Sequence, residues 1–155
     1  MEDGKHIRQL FGDVSAFYGK AVFDNWVLLQ VDAKYDTLYR SRVGGPLFLD
    51  ASFAFHVNMD DAWDTSLKWS EAAFDLHSPY LEGVVTKASM FRSWLDQVYS
   101  VTPHRIRGIL DQIPETWSVP DEYVSSLAEF LSRSSEFVEL MAQWIDYERE
   151  RGLLT

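Results

Sequence analysis

Thr37-Leu38-Tyr39-Arg40-Ser41-Arg42-Val43-Gly44-Gly45-Pro46-Leu47-Phe48-Leu49 is the stretch on which the fold turns. Two short runs rich in strand-forming residues, 37–40 and 47–49, flank Val43-Gly44-Gly45-Pro46. Paired glycines followed by proline read as a hairpin turn. On either side the apolar residues recur at helical spacing instead. The expected fold is mainly α with one small β-hairpin.

Upstream, Ile7, Leu10, Phe11, Val14, Phe17 and Tyr18 fit a single helix, with Asp3 where a cap belongs and Gly19 as a dent. Ala21-Val22-Phe23-Asp24-Asn25-Trp26-Val27-Leu28-Leu29 is apolar on most sides, as a buried helix is. Downstream, Asp60 or Asp61 is expected to cap a helix carrying Trp63, Leu67, Glu71 and Phe74, which His77-Ser78-Pro79-Tyr80-Leu81-Glu82-Gly83 ends. Thr86 should cap the next, with Phe91, Trp94, Leu95 and Val98 on one face. Thr102 before Pro103 is an N-cap followed by a first-turn proline, and this helix should turn Ile106, Ile109, Leu110 and Ile113 inward. Residues 113–120, with Pro114 and Pro120, form a rigid corner. Tyr123, Leu127, Phe130, Leu131, Phe137, Val138, Met141 and Ile145 then mark a long amphipathic helix. Ser132-Arg133-Ser134-Ser135 is placed to kink or split it. No repeat, linker or low-complexity segment appears, so 1–155 reads as a single domain with a helical tail over 84–150.

Composition narrows the function classes. The chain has 155 residues, and one of this length buries about 70% of its unfolded surface, enough for one core. The absence of cysteine removes disulfides, thiolate metal sites and cysteine nucleophiles. Fourteen Lys and Arg against 24 Asp and Glu give a net charge of −10, which repels phosphate backbones and anionic lipid. General nucleic-acid and membrane binding are therefore not expected. No apolar run approaches the roughly 20 residues of a membrane span, and Met1-Glu2-Asp3-Gly4-Lys5-His6 does not read as a signal peptide, so a cytoplasmic location is expected.

Several motifs have plain structural readings. The histidines at 6, 56, 77 and 104 show no metal-ligand spacing and read as surface or capping residues. Asp60-Asp61-Ala62-Trp63-Asp64 spells DDxxD, but acids in a first helical turn also favour the positive end of the dipole, and no second acidic motif accompanies it. Trp26, Trp63, Trp94 and Trp144 lie on or beside apolar stripes and read as core. Trp69, between Lys68 and Ser70, reads as exposed and available to a partner.

The strongest constellation joins the buried helix to the hairpin. Asp32 follows the helix in Gln30-Val31-Asp32-Ala33-Lys34-Tyr35-Asp36-Thr37, and Asp50 follows the second strand. Phosphoryl transfer from ATP uses such a layout, one loop carboxylate orienting the attacking hydroxyl and another holding magnesium. Turn and strand-end aspartates are also common for conformational reasons alone.

Phe23-Asp24-Asn25-Trp26, Gln30-Val31-Asp32 and Gly45-Pro46-Leu47-Phe48-Leu49-Asp50 together resemble the C-lobe of HipA-like kinases, related in fold to phosphatidylinositol 3- and 4-kinases. The resemblance extends through Asp75-Leu76-His77-Ser78-Pro79-Tyr80-Leu81-Glu82-Gly83 and Gln112-Ile113-Pro114-Glu115-Thr116-Trp117, covering most of the chain from Phe17 onward. It implies a kinase C-lobe-like helical domain with Asp32 and Lys34 as catalytic residues. It further implies Gln30 and Thr37 as cofactor-binding positions, and Asp50 with Asp36 as magnesium ligands. The sequence departs from the family at Gln30, Ala33, Thr37 and Ser52, where asparagine, a basic residue, asparagine and glycine are usual. No G-x-G-x-x-G occurs to roof a nucleotide. ATP and magnesium are therefore expected only with an N-lobe supplied by a partner or a longer gene, and no tight binding to the isolated chain. The alternative is a non-catalytic acidic protein-interaction module, a pseudokinase relic that binds a protein partner.

Overall fold

The computed structural model describes residues 2–28, 38–49, 54–56, 65–70, 74–76, 81 and 83–155. Among them are six α-helices and one hairpin. In order these are α1 (Glu2–Phe11), α2 (Ser15–Trp26), β1 (Leu38–Arg40), β2 (Pro46–Phe48), α3 (Arg92–Tyr99), α4 (Pro103–Leu110), α5 (Asp121–Ser132) and α6 (Ser134–Glu150). The mainly helical reading with one small hairpin holds.

The hairpin forms where its turn chemistry requires. β1 and β2 are antiparallel, with Leu38 opposite Phe48, Tyr39 opposite Leu47 and Arg40 opposite Pro46. Gly44 N–H donates to Ser41 O at 2.9 Å and Ser41 N–H to Gly45 O at 2.8 Å, which defines a three-residue loop closed by a bulge. Gly44 sits at φ +91°, a conformation that side chains resist, so this position calls for glycine. The inner pair, Leu38 and Phe48, packs on the core, and Phe48 meets Phe17 of α2 edge-on at 5.3 Å between centroids.

α2 packs on the hairpin, on the 3₁₀ turn before α3 and on α3 itself. Phe17, Tyr18, Ala21 and Val22 are buried along one side and meet Phe91 and the helices that follow. α3 packs against α6, and α4 against α5. Phe137, Met141, Trp144 and Ile145 bring α6 into the same core. The long amphipathic stretch divides at Arg133, where the backbone leaves helical values (ψ 33°), as the serine-rich run suggested.

Several expectations are corrected. The apolar spacing of residues 7–18 runs across two helices rather than one. Gly12 adopts φ +61° and ends α1, and Asp13 Oδ1 accepts from Ser15 N–H at 2.8 Å to start α2. Asp3 therefore lies inside α1 rather than at its cap. Residues 65–70 are not helical. Leu67 and Trp69 are buried while 65, 66, 68 and 70 are exposed, a period of two that the expected helix over this region does not fit. Trp69 is consequently core, not surface. Its ring lies 4.1 Å from that of Phe130, the Arg133 guanidinium lies 5.6 Å from its centroid, and its Nε1 donates to Trp26 O at 2.9 Å. Among the described residues the exposed tryptophan is Trp117, in the corner after α4. Trp26 and Trp94 are half-buried against the core.

Ile109 is also exposed. α4 buries only Ile106 and Leu110, one turn apart, so this short helix, packed mainly on α5, has a narrow inner stripe. Thr102 does cap α4, accepting from Arg105 N–H at 3.3 Å. Thr86 caps nothing: a 3₁₀ turn (Ala88–Phe91) precedes α3, and the Thr86 hydroxyl accepts from Arg8 at 3.0 Å instead.

Gly19 is a site of close approach, not a dent. A Cβ there would stand 2.9 Å from three atoms of the Trp94 ring. Glycine to alanine inside a helix ordinarily gains about 0.5–1 kcal/mol. Here overpacking at about 1–3 kcal/mol exceeds that gain. Gly19→Ala is expected to lower stability in urea unfolding, and Trp94→Leu to relieve most of the loss in the double variant. A stabilising Gly19→Ala would refute the contact.

Candidate functional site

The C-terminal turn of α2 is where buried polar chemistry concentrates. Asp24 is fully buried and Asn25 is 2% exposed. Lys20, one turn earlier, donates to both Asp24 oxygens at 2.5 and 2.6 Å. Its ammonium also lies 5.8 Å from the centroid of the Phe48 ring, which wedges this pair between α2 and β2. Burial pushes the Asp24 carboxyl up to about 6, and the Lys20 charge and hydrogen bond offset only part of that rise.

Asn25 works as a bracket. Its Nδ2 donates to Ala21 O and Asp75 O, each at 2.8 Å, and its Oδ1 accepts from Asp75 N–H at 3.1 Å. Val27 O accepts from Phe55 N–H at 2.7 Å. Leu28 and Phe55 both hold positive φ, 53° and 61°, in the left-handed region that L-residues avoid. The end of α2 is thus tied to residues 55, 69 and 75 by hydrogen bonds that fix it against the rest of the chain.

This frame stands at the margins of the segments singled out from sequence. Gln30, Asp32, Lys34, Asp36, Thr37 and Asp50 themselves lie outside the described residues, as do Asp60, Asp61 and Asp64. What is described is how the chain leads into and away from them. Leu28 precedes the 29–37 segment, and the register of Leu38 with Phe48 makes the chain enter β1 and leave β2 at one end of the hairpin. The implied donors for magnesium are carboxylates, the hard oxygen ligands that this ion takes, and in donor chemistry the set fits. Among the described residues no group of three or more His, Asp or Glu is placed to hold a metal ion. His6 and His104 are exposed, as their isolated spacing implied.

Reading the sequence for loop acids passed over Lys20 and Asp24. Their signal was present: a lysine and an aspartate at i and i+4, embedded in a run otherwise apolar on most sides. No family model matches the chain, and neither a curated protein nor a solved structure matches it significantly.

The raised Asp24 carboxyl makes stability depend on pH. The folded state holds this proton to higher pH than the unfolded chain does, so the contribution of Asp24 falls as pH rises from about 4 to 6, by about 3 kcal/mol. Lys20→Met removes the opposing charge and raises the carboxyl further. Its expected cost is about 3 kcal/mol at pH 8 and less than about 1 kcal/mol at pH 5, measured by urea unfolding. Asp24→Asn should flatten the pH 4–6 slope. Equal costs of Lys20→Met at both pH values would show that Asp24 does not change its ionisation between pH 5 and pH 8.

Proposed function

We propose that the chain is the C-terminal lobe of a HipA-like kinase, incomplete or inactive alone. In this reading ATP-dependent phosphotransfer occurs only with an N-lobe supplied by a partner or a longer gene. The observation that carries the reading is the order and docking of the frame. A buried helix ends at Trp26, a hairpin packs on that same helix through Phe48 and Phe17, and the segments bearing Asp32 and Asp50 follow the helix end and the second strand in sequence.

In this reading Asp32 accepts the proton of the acceptor hydroxyl and orients it toward the phosphoryl group. Lys34 contacts the transferred phosphate, with Gln30 and Thr37 flanking the cofactor. Asp50 and Asp36 would hold magnesium, which neutralises charge on the phosphates when bound. Lys20 and Asp24 touch no substrate; they support the hairpin against the helix from beneath.

The second reading is the non-catalytic acidic interaction module, favoured by the departures at Gln30, Ala33, Thr37 and Ser52 and by the net charge of −10. Both readings require a protein partner. They differ in what Asp32 and Asp50 do for it.

The isolated chain is expected to show no phosphotransfer from labelled ATP with magnesium. Reconstituted with a candidate kinase N-lobe polypeptide, the pair should transfer phosphate, and Asp32→Asn should lower the rate by about 10²–10⁴-fold. Asp50→Asn should abolish the transfer while leaving the complex intact by size-exclusion chromatography. A complex that forms but shows no transfer and no ATP binding by calorimetry would favour the interaction module. Robust transfer by the isolated chain, lost on Asp32→Asn, would show that no roof is needed.

A further inference from the structure

The hairpin presents an unusual surface for an acidic protein. Tyr39 and Leu47, directly opposite one another, are 51% and 48% exposed, and Leu49 beyond them is 47% exposed. These three share the outer face by strand alternation, while Leu38 and Phe48 face the core. Residues 38–49 contain Arg40 and Arg42 and no acid, so the segment carries +2 in a chain whose total is −10. Both arginines are exposed, and neither forms an ion pair among the described residues.

The backbone of the hairpin is equally uneven. The Ser41 to Gly45 hydrogen bond sets the alternation of the ladder, so Tyr39 and Leu47 are the pair that exchange bonds across it. The N–H and C=O groups of Leu38 and Arg40 therefore point outward along β1. Among the described residues nothing pairs with that edge. The opposite edge carries Pro46, which has no N–H to offer and blunts β2 against strand addition. Among the described residues the β1 edge is open and the β2 edge is partly closed.

We infer that the β1 edge and the outer face of the hairpin together bind an extended acidic segment of a partner protein by strand addition. Backbone groups of Leu38 and Arg40 pair with the added strand. Tyr39 and Leu47 receive its apolar side chains on the outer face, and Arg40 and Arg42 attract its carboxylates. The charge contrast selects the partner: a basic segment is drawn to the acidic remainder of the molecule and repelled here. This inference does not depend on whether the chain transfers phosphate.

The test uses the full chain and the acetylated, amidated peptide (Glu-Val)₄, with (Lys-Val)₄, a backbone N-methylated (Glu-Val)₄ and a single-stranded oligonucleotide as the comparison ligands. Nuclear magnetic resonance titration should shift the amide signals of 38–49 with (Glu-Val)₄ alone, more weakly as salt is raised. Arg40→Glu with Arg42→Glu should weaken binding at least tenfold, and N-methylation of alternate peptide nitrogens should do the same. Circular dichroism confirms that the helices persist, and Arg40→Gln with Arg42→Gln gives an intermediate loss if the charge matters. No binding of (Glu-Val)₄ at millimolar peptide overturns the inference. So does equal binding of the N-methylated peptide, indifference to the arginine reversal, or preference of this surface for the oligonucleotide.

Discussion

The Tyr18 hydroxyl accepts from two consecutive backbone N–H groups, Thr86 and Lys87, each at 3.0 Å, and lies 3.4 Å from Val84 O. Much of the arrangement depends on that junction. Leu81, Val84 and Val85 are buried, yet their segment is neither helix nor strand, so its backbone polar groups need partners from elsewhere. An unpaired buried amide costs about 1–3 kcal/mol, and several in one segment would exceed what the burial of two valines returns. Arg8 of α1 supplies further donors, to Gly83 O, Val84 O and the Thr86 hydroxyl. Thr155 completes the set, its N–H donating to Thr86 O and its carbonyl accepting from Ala88 N–H. Side chains from the first two helices and the backbone after the last one thus converge on residues 83–88.

With that segment fixed, α2 is held along its length and can carry polar groups near its end. One side of the helix is core, from Phe17 to Val22, and the next turn holds Asp24 and Asn25 with almost no exposure. A buried carboxylate here brings no net stability, since its desolvation outweighs the attraction of Lys20. What the two residues supply is position. Asn25 fixes residue 75, Lys20 reaches toward the Phe48 ring, and Val27 holds Phe55. Two non-glycine residues with positive φ persist at this point because the surrounding contacts determine their conformation.

The hairpin and most helices were legible because each has a local cause. Gly44 and the residues around it permit few other turns, Thr102 and Pro103 start α4 by capping geometry, and the serines at 132–135 break one apolar stripe into two helices. The errors also have physical reasons. Ile7 to Tyr18 share one apolar spacing, but Gly12 and Asp13 interrupt it with little change of phase, so periodicity alone cannot find the break. Leu67, Trp69 and Phe74 admit a helical reading until burial shows that 67 and 69 point the same way. Of the candidate site, the acids stood out in sequence as loop residues, while the Lys20 and Asp24 pair was hidden in a helix read as buried core.

The sequence by itself determined the class of fold, the place of the hairpin and the acidic charge balance, because turn residues, caps and charge act through neighbours along the chain. Only the tertiary structure decided that Trp69 is core and Trp117 surface, since the same residue type is buried or exposed according to which helix arrives to cover it. It also decided that Gly19 faces an indole ring and that Thr86 serves Arg8 rather than a helix cap. Those outcomes depend on contacts between residues some 70 positions apart, and no local pattern records them. The Asp24 carboxyl belongs with them: its i, i+4 lysine is visible in sequence, but the burial that raises it comes from the fold packed around it.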